Sequence, residues 1–146
     1  MTDVVGVVGL GVMGSAMSRH IVAGGYEVRG YDVDTDQMSA SAAVAAASVA
    51  EVAESCGIVL LSLPTAASLE AVAQEIASVG REDSIVVEMG TLPLEAKAAA
   101  AATLHAVGVT MLDAPVSGTG LQAADATLVV YCSGPSGALN RVRPVF

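Results

Sequence analysis

Three glycines near the amino terminus have the spacing of a turn that holds phosphate groups. Gly9, Gly11 and Gly14 stand in the order G-x-G-x-x-G within VGLGVMGSAM, residues 8–17. The first would allow a tight turn, the second would let the backbone approach a pyrophosphate, and the third would let a helix pack against a strand. The chain has 15 glycines, so the spacing alone is a weak signal and the flanking elements decide its meaning.

The elements predicted around these glycines favour a dinucleotide-binding turn. The run VVGVV at 4–8 is typical of a strand buried on both faces, and residues 13–23 carry helical spacing. Asp32 follows a second predicted strand at 27–31, where its carboxylate would accept hydrogen bonds from ribose hydroxyls and repel a 2′-phosphate. No arginine follows Asp32 in YDVDTDQM, so NAD is favoured over NADP. The alternative is that Asp32 only caps the next helix.

Strands and helices alternate along the rest of the chain. This alternation is typical of βαβ units, so the predicted fold class is α/β, a Rossmann-type doubly wound, mainly parallel sheet with helices on both faces. The further predicted helices cover 49–55 (with Ser48 and Glu51 as a capping box), 66–78, a segment from the N-cap Thr91 to 106, and a segment from 136 onward. The further predicted strands lie near 44 and at 57–64, 84–89, 109–112 and 127–132.

Composition excludes several classes of partner. The chain has 146 residues, enough for one domain with its own core, and a formal net charge of −9. That charge argues against nucleic acid, because neutralising phosphates requires clustered basic residues. No apolar run is long enough to span a bilayer, and MTDVVG lacks the basic region of a signal peptide. We therefore expect a cytoplasmic protein with no membrane partner. Cys56 and Cys132 are predicted to be buried small hydrophobes rather than metal ligands.

Four segments resemble the β-hydroxyacid dehydrogenase family, which includes 3-hydroxyisobutyrate dehydrogenase. They are GLGVMGSAM at 9–17, LP at 63–64, EMGT at 88–91 and DAPVSGTG at 113–120, the last resembling the family's substrate signature. The resemblance covers essentially the whole chain. It implies the NAD-binding domain of an oxidoreductase that transfers a hydride between NAD and a small 3-hydroxy acid, giving a semialdehyde.

The resemblance implies two sets of site residues. Ser117 and Gly118 would hold the substrate carboxylate, beside Thr119, which stands where the family has a second glycine. Two further departures are Gly90 in place of a common serine, and Asp125-Ala126 where the family has small residues and glycine. Cofactor roles are implied for Leu10, Gly11, Val12 and Met13 along the pyrophosphate, with Gly9 and Gly14 as the outer glycines of the same turn. Asp32 would lie at the ribose, Leu63, Pro64 and Thr91 would flank the nicotinamide half, and Ser68 stands where the family often has an asparagine near the cofactor.

Each of these segments also has a purely structural interpretation. Pro64 ends a strand because proline cannot continue a ladder, and Thr91 suits an N-cap with or without a cofactor. The segment 113–120 would serve equally well as a turn. The functional interpretation gains support because three of these segments lie at or just past the carboxyl ends of predicted strands, where open α/β sheets bind ligands.

No catalytic residue is predicted within the chain. In the family that the chain resembles, a lysine protonates or deprotonates the substrate oxygen, and that lysine belongs to the helical region after the first domain. Lys97 is interpreted as a solvated helix residue, and Asp113 as a residue that orders the loop 113–120 through Asx-type bonds. We therefore expect the catalytic lysine beyond Phe146, and a chain that binds NAD(H) weakly without useful turnover.

The predicted division places the dinucleotide-binding domain at 1–134. Residues 135–146 would start the helix leading to a missing carboxyl-terminal helical domain. The face that such a domain would cover is expected to be apolar, so the chain is expected to self-associate as a homo-oligomer. The implied partner is a small-molecule hydroxy acid or semialdehyde.

Three alternative functions remain open. An NADPH-linked semialdehyde or imine reductase shares the opening motif, but such enzymes commonly carry Asn-Arg-Thr where this chain has Asp32-Val33-Asp34. A non-catalytic nucleotide-binding module would use the same turn without chemistry. A purely structural domain would use the glycines only for packing.

Overall fold

Six parallel strands form the central sheet, in the spatial order β3-β2-β1-β4-β5-β6. The computed structural model describes residues 3–146. From β1 the chain runs outward to β3, then crosses back to β4 on the other side of β1, so the winding direction reverses between β1 and β4. This order confirms the predicted Rossmann-type doubly wound fold. The strands are β1 (Val4–Val8), β2 (Glu27–Tyr31), β3 (Val44–Ala45), β4 (Ile58–Leu61), β5 (Ile85–Glu88) and β6 (Thr110–Asp113).

The register of the sheet brings five strand ends to one level. Val8 lies opposite both Tyr31 and Leu61, Leu61 lies opposite Glu88, and Glu88 lies opposite Asp113. The segments that follow these five residues therefore leave the sheet along a single edge. This edge is the carboxyl edge, where the crevice of an open α/β sheet lies.

Helices cover both faces of the sheet, as predicted. Buried residues of α3, α4 and α5 form one core with alternate strand residues, and residues of α1 and α7 form the core on the opposite face. The alternation is visible in β1, where Val8 belongs to the first core and Val5 and Val7 to the second. The helices are α1 (Val12–Ala23), α2 (Thr35–Ala40), α3 (Val49–Ser55), α4 (Ala66–Val79), α5 (Leu94–His105), α6 (Gly120–Ala124) and α7 (Ser136–Val142), followed by a 3₁₀ turn at Arg143–Val145.

Three predicted element boundaries are wrong. The strand predicted at 57–64 is β4 (Ile58–Leu61), so it ends three residues before Pro64. Thr91 is not the N-cap of α5, because the helix begins only after Pro93. The residue before a proline is disfavoured in the helical region, which prevents Leu92 from starting the helix. The strand predicted at 127–132 shortens to β8 (Val129–Val130), which pairs antiparallel with β7 (Val116–Ser117) outside the main sheet.

Capping explains several helix starts. Ser48 accepts a hydrogen bond from the backbone N–H of Glu51, as predicted, but the Glu51 carboxylate accepts from Ala47 instead of closing the box on Ser48. Helices α2 and α6 were not predicted from the sequence, and they have only six and five residues. Among residues 3–146, no helix combines the length and apolar character that a bilayer crossing would require.

Candidate functional site

A cavity of about 520 Å³ opens at the carboxyl ends of β1, β2 and β4. It lies at the point where the winding direction reverses. Three residues with implied cofactor roles, Leu10, Gly14 and Thr91, do not border it. Eight others do, namely Gly9, Gly11, Val12, Met13, Asp32, Leu63, Pro64 and Ser68.

The surroundings of the three glycines in the turn differ, and so does the reason for a glycine at each position. Gly9 has a φ of +90°, and a Cβ there would collide with the carbonyl oxygen of Ser62. A Cβ at Gly14 would collide with the carbonyl oxygen of Gly9, so helix α1 approaches the turn too closely for any side chain. Gly11 differs, because a Cβ there would meet no atom of the described residues within 4 Å. The fold therefore requires Gly9 and Gly14, but packing does not require Gly11.

Helix α1 starts at this turn without a side-chain cap. Gly11 is its N-cap residue and makes no side-chain hydrogen bond. Val12 and Met13, which follow in the first turn, border the cavity. The first N–H groups of a helix lack intrahelical partners and carry a partial positive charge, which favours an anionic ligand. The start of α1 therefore suits a pyrophosphate.

Asp32 holds the turn from the end of β2. Its Oδ2 accepts a hydrogen bond of 2.7 Å from the backbone N–H of Leu10, and its Oδ1 accepts one of 2.8 Å from Asp34. Asp34, rather than Asp32, is the N-cap of α2, because its Oδ1 accepts from Asp36. A carboxylate has about four acceptor positions, so Asp32 keeps capacity for ribose hydroxyls. The side chain of Leu10 points the other way and is completely buried.

The segment after β4 forms the opposite wall of the cavity. Leu63 and Pro64 border it directly, and helix α4 starts just behind them. The hydroxyl of Ser68 donates to the carbonyl oxygen of Thr65 and accepts from the Thr65 N–H, while Thr65 Oγ1 accepts from the Ser68 N–H. Ser68 therefore closes a capping box. The Thr-x-x-Ser spacing in the sequence could have predicted this capping box.

An ionic cluster lies at the ends of β5 and β6, with Glu88 and Lys97 buried and the Asp113 side chain 45% exposed. The Nζ atom of Lys97 is 2.9 Å from Glu88 Oε2 and 2.6 Å from Asp113 Oδ1. Glu88 is completely buried, and Lys97 is 7% exposed. The expectation of a solvated Lys97 is therefore wrong. The expectation of an Asx-type turn at Asp113 is also wrong, because its carboxylate binds Lys97 while its backbone pairs with Ser133.

The cluster favours the charged form of the lysine. Burial alone would lower the pKa of Lys97, but the hydrogen bonds and negative charges of Asp113 and Glu88 outweigh burial and hold that pKa above its ordinary value. Lys97 is therefore a fixed ammonium at neutral pH and not a proton donor poised for exchange. Sequence reasoning missed this cluster because its members come from three separate elements.

The segment with implied substrate roles lies against helix α1 and not in the cavity itself. Gly118 has a φ of +145°. Thr119 is the N-cap of α6: its hydroxyl oxygen accepts from the Gln122 N–H at 3.3 Å, and the Gln122 side chain completes the capping box. A Cβ at Gly120 would lie 2.8 Å from Val12, which brings this segment into contact with the glycine turn.

His20 provides a second connection between α1 and α6. Its Nε2 atom lies 3.0 Å from the carbonyl oxygens of both Ala123 and Ala124, a geometry that requires a proton on Nε2. These carbonyls belong to the last two residues of α6, and that of Ala123 also accepts a hydrogen bond from the Ala126 N–H. The imidazole therefore fixes the segment that follows Gly118 to the helix that starts at the glycine turn.

The two cysteines differ in environment. Cys56 is completely buried, as predicted, and burial raises the pKa of its thiol to about 11. Cys132 is only half-buried, so the prediction is correct for one cysteine and too strong for the other. Within residues 3–146, no group of three His, Cys, Asp or Glu side chains is arranged to hold a metal ion.

The sheet order, the glycine turn at the reversal point and the carboxylate at the end of β2 define a dinucleotide-binding α/β domain. The family described as the NAD binding domain of 6-phosphogluconate dehydrogenase matches residues 4–146. The chain belongs to this family and represents the NAD-binding domain of the β-hydroxyacid dehydrogenases. The predicted family is thereby confirmed.

Named relatives are oxidoreductases. A protein of Mycobacterium bovis named probable 3-hydroxyisobutyrate dehydrogenase is 32% identical over 140 residues, covering 94% of this chain and 48% of the relative. The structure of Mycobacterium tuberculosis 3-hydroxyisobutyrate dehydrogenase with L-serine matches with a TM-score of 0.94 and 30% identity, covering 99% of this chain and 51% of the other. A Streptomyces aurantiacus imine reductase matches with a TM-score of 0.87 and 25% identity, covering 98% and 51%. The chain thus spans about half the length of these proteins.

Proposed function

We propose that this chain is the NAD-binding part of an oxidoreductase that transfers a hydride between NAD and a small 3-hydroxy acid, giving a semialdehyde. NAD, when bound, supplies the hydride acceptor or donor at its nicotinamide ring. The residues of this chain bind and orient it. The uncapped start of α1 would hold the pyrophosphate, Asp32 the ribose, and Leu63, Pro64 and Thr91 the nicotinamide half.

The observation that carries this proposal is the open space at Gly11. Neither packing nor a positive φ requires a glycine there, since a Cβ would meet nothing within 4 Å and the φ is −66°. Gly11 nevertheless borders the cavity at the start of α1. A glycine that the fold does not need, placed at the start of a helix that borders a cavity, suits the close approach of a phosphate group. This observation argues against the interpretation that all three glycines serve packing.

The charges around Asp32 support NAD rather than NADP. Asp32 and Asp34 both border the cavity, and their carboxylates would repel a 2′-phosphate on a ribose held by Asp32. Arg29, the nearest arginine in sequence, lies within 4 Å of Glu27 and Glu51. An arginine that already has two carboxylate partners is poorly available to a phosphate. The electrostatics therefore favour the free 2′-hydroxyl of NAD.

We also propose the remaining parts of the site and the protein. Ser117 and Gly118 would hold a substrate carboxylate, with Thr119 shaping that pocket. The general acid or base would be a lysine beyond Phe146. Residues 1–134 would form the dinucleotide-binding domain and 135–146 the start of the connection to a helical domain. On this proposal the 146-residue chain binds NAD(H) weakly and has no useful turnover.

Self-association and a cytoplasmic location stay predictions. The exposed apolar side chains of Leu121, Val129 and Tyr131 belong to α6, β8 and the residue after it. Apolar groups on neighbouring elements support an association surface. Sedimentation velocity across a hundredfold range of concentration tests this, and a single monomeric species throughout would contradict it.

Titration with nucleotide tests the central proposal. Isothermal titration calorimetry would compare NADH and NADPH binding to the wild-type chain, to Gly11→Val and to Gly137→Ala. Gly137 is a matched control, because a Cβ there also meets nothing within 4 Å and the residue lies on α7. We expect NADH to bind at least about tenfold more tightly than NADPH, a difference of about 1.4 kcal/mol.

The variants separate a ligand effect from a folding effect. Gly11→Val should retain the thermal unfolding midpoint to within a few degrees and lose NADH binding by about tenfold or more. Gly137→Ala should change neither property to that extent. Undiminished NADH affinity in a folded Gly11→Val variant would overturn the assignment of the turn to the pyrophosphate.

A second candidate is an NADPH-linked imine or semialdehyde reductase. The match to the Streptomyces aurantiacus imine reductase over 98% of this chain favours it. Tighter binding of NADPH than of NADH in the same titration would support this second candidate. A non-catalytic nucleotide-binding module is the remaining alternative, and it would bind NADH without any activity in the full-length protein.

A further inference from the structure

Lys97 occupies a position where an apolar side chain would be less costly. It lies on α5 and is 7% exposed, among the alanines at 98–102. Removing an ammonium from water is expensive, and well-packed apolar residues often replace buried ion pairs without loss of stability. Stability alone therefore does not account for an ammonium in this place. The geometry of its two partners suggests a role in positioning.

One partner controls the turn that carries Thr91. Glu88 Oε2 lies 2.9 Å from the Lys97 ammonium, and Glu88 Oε1 accepts a hydrogen bond of 2.9 Å from the backbone N–H of Gly90. A Cβ at Gly90 would lie 2.8 Å from the same Oε1 atom, so the carboxylate is pressed against this turn. The Glu88 carboxylate therefore fixes the position of Gly90, the residue before Thr91, through this hydrogen bond.

The other partner starts the segment with implied substrate roles. Asp113 Oδ1 lies 2.6 Å from the ammonium and directly opposite Glu88 in the sheet. The chain continues through Ala114, which donates its N–H to the carbonyl oxygen of Glu88, to β7 and Ser117. A single ammonium thus joins the starts of both segments.

We propose that Lys97 is a positioning residue that sets the Thr91 turn and the Ser117–Thr119 segment at a fixed separation by binding Glu88 and Asp113 together. It contacts neither cofactor nor substrate. The inference rests on the proposed function, in which Thr91 lies at the nicotinamide half and Ser117 at the substrate. Without the ammonium, the buried Glu88 carboxylate would lack its counter-charge and would move away from its present position.

The decisive experiment compares two ligands that share one half. ADP-ribose carries the adenosine and pyrophosphate groups of NADH but has no nicotinamide. Calorimetric dissociation constants for both would be measured with the wild-type chain, Lys97→Met, Lys97→Arg and Glu95→Gln. Lys97→Met keeps a similar volume without charge, Lys97→Arg keeps the charge, and Glu95→Gln alters an exposed charge on the same helix.

The ratio of the two dissociation constants is the readout. We expect Lys97→Met to weaken NADH binding about fivefold or more and ADP-ribose binding less than about twofold. ADP-ribose would be bound by the Gly11 turn and Asp32, which follow β1 and β2 rather than β5 and β6. Lys97→Arg should recover at least part of the NADH affinity, and Glu95→Gln should leave both constants unchanged. A general loss of structure would weaken both ligands together and would not move the ratio.

The outcomes separate this inference from the proposed function. A wild-type chain that binds neither ligand would overturn both the proposed function and the positioning role that rests on it. A wild-type chain that binds both, with an unchanged ratio in Lys97→Met, would overturn the positioning role alone. If Lys97→Met does not fold, the double variant Lys97→Met/Glu88→Gln, which leaves no unpaired carboxylate at position 88, carries the same test with the same expected ratio.

Discussion

Asp32 should contribute to the stability of the fold as well as bind a ligand. Its two oxygens accept hydrogen bonds of 2.7 Å from Leu10 and 2.8 Å from Asp34. A hydrogen bond to a charged group contributes about 1.5–3 kcal/mol. The Asp34 bond is exposed, so water would replace it at small cost, whereas the Leu10 bond is partly buried. We therefore expect Asp32→Ala to lower the free energy of unfolding by about 2–3 kcal/mol.

Asp34→Ala is the matched control for this measurement. Asp34 also accepts one backbone hydrogen bond, from Asp36, but as an exposed N-cap. Loss of such a cap costs about 1 kcal/mol. The chain has no tryptophan, so unfolding in guanidinium would be followed by far-ultraviolet circular dichroism without nucleotide. Asp32→Asn, which keeps one acceptor oxygen, should fall between the wild type and Asp32→Ala.

One outcome of this comparison would contradict the predicted role of Asp32. If Asp32→Ala costs no more than Asp34→Ala, the carboxylate does not hold the glycine turn and our account of its geometry is wrong. If the expected difference is found, nucleotide affinities of Asp32 variants must be measured well below their unfolding transitions. Otherwise a loss of binding would reflect the turn rather than the ribose contact.

Two further predictions concern single buried or strained residues. Ala126 has a φ of +55°, which an L-residue adopts at a cost of about 1–2 kcal/mol. Ala126→Gly should therefore raise the free energy of unfolding by about 0.5–1 kcal/mol, after subtracting the entropic cost of ordering a glycine. A lower free energy of unfolding in guanidinium for this variant would contradict the prediction. Burial raises the pKa of Cys56 from 9.0 to about 11. Between these pH values the unfolded state has released a thiol proton that the folded state keeps. The free energy of unfolding therefore falls as pH rises through this range, by roughly 3 kcal/mol at most. Unfolding curves from pH 8 to 11 should show a smaller decline for Cys56→Ala, and equal declines would contradict the cause.

Features encoded by neighbouring residues were predictable from the sequence. The buried run at 4–8 matches β1, and the apolar face at 66–78 predicts α4 to within one residue. The cavity at Gly11 and Asp32 followed from the order of strand, turn, helix and acid, because that order brings the carboxyl ends of β1 and β2 together. Local periodicity and topology together were sufficient for this part of the site.

The Lys97 cluster was not predictable in the same way. Helix α5 contains so many alanines that no apolar stripe shows which face is buried, and a lone lysine on such a helix resembles a solvated residue. Its partners Glu88 and Asp113 lie on two other elements, brought together only by the register of β5 with β6.

The wrong start predicted for α5 was an avoidable error. The residue before a proline is disfavoured in the helical region, and applying this rule to Leu92 before Pro93 would have excluded Thr91 as the N-cap.

The parallel sheet also has a consequence for how the chain folds. Val5 pairs with Val28 on one side and with Ile58 on the other, so the central strand is complete only when a segment more than fifty residues further along has arrived. No neighbouring pair in the main sheet can be closed by a tight turn, since parallel partners require a crossover. Such a high proportion of distant pairings slows folding and leaves the valine-rich first strand without one neighbour during synthesis. The strand that precedes the glycine turn is thus the first to be made, and it keeps one unpaired edge until β4 has been synthesised.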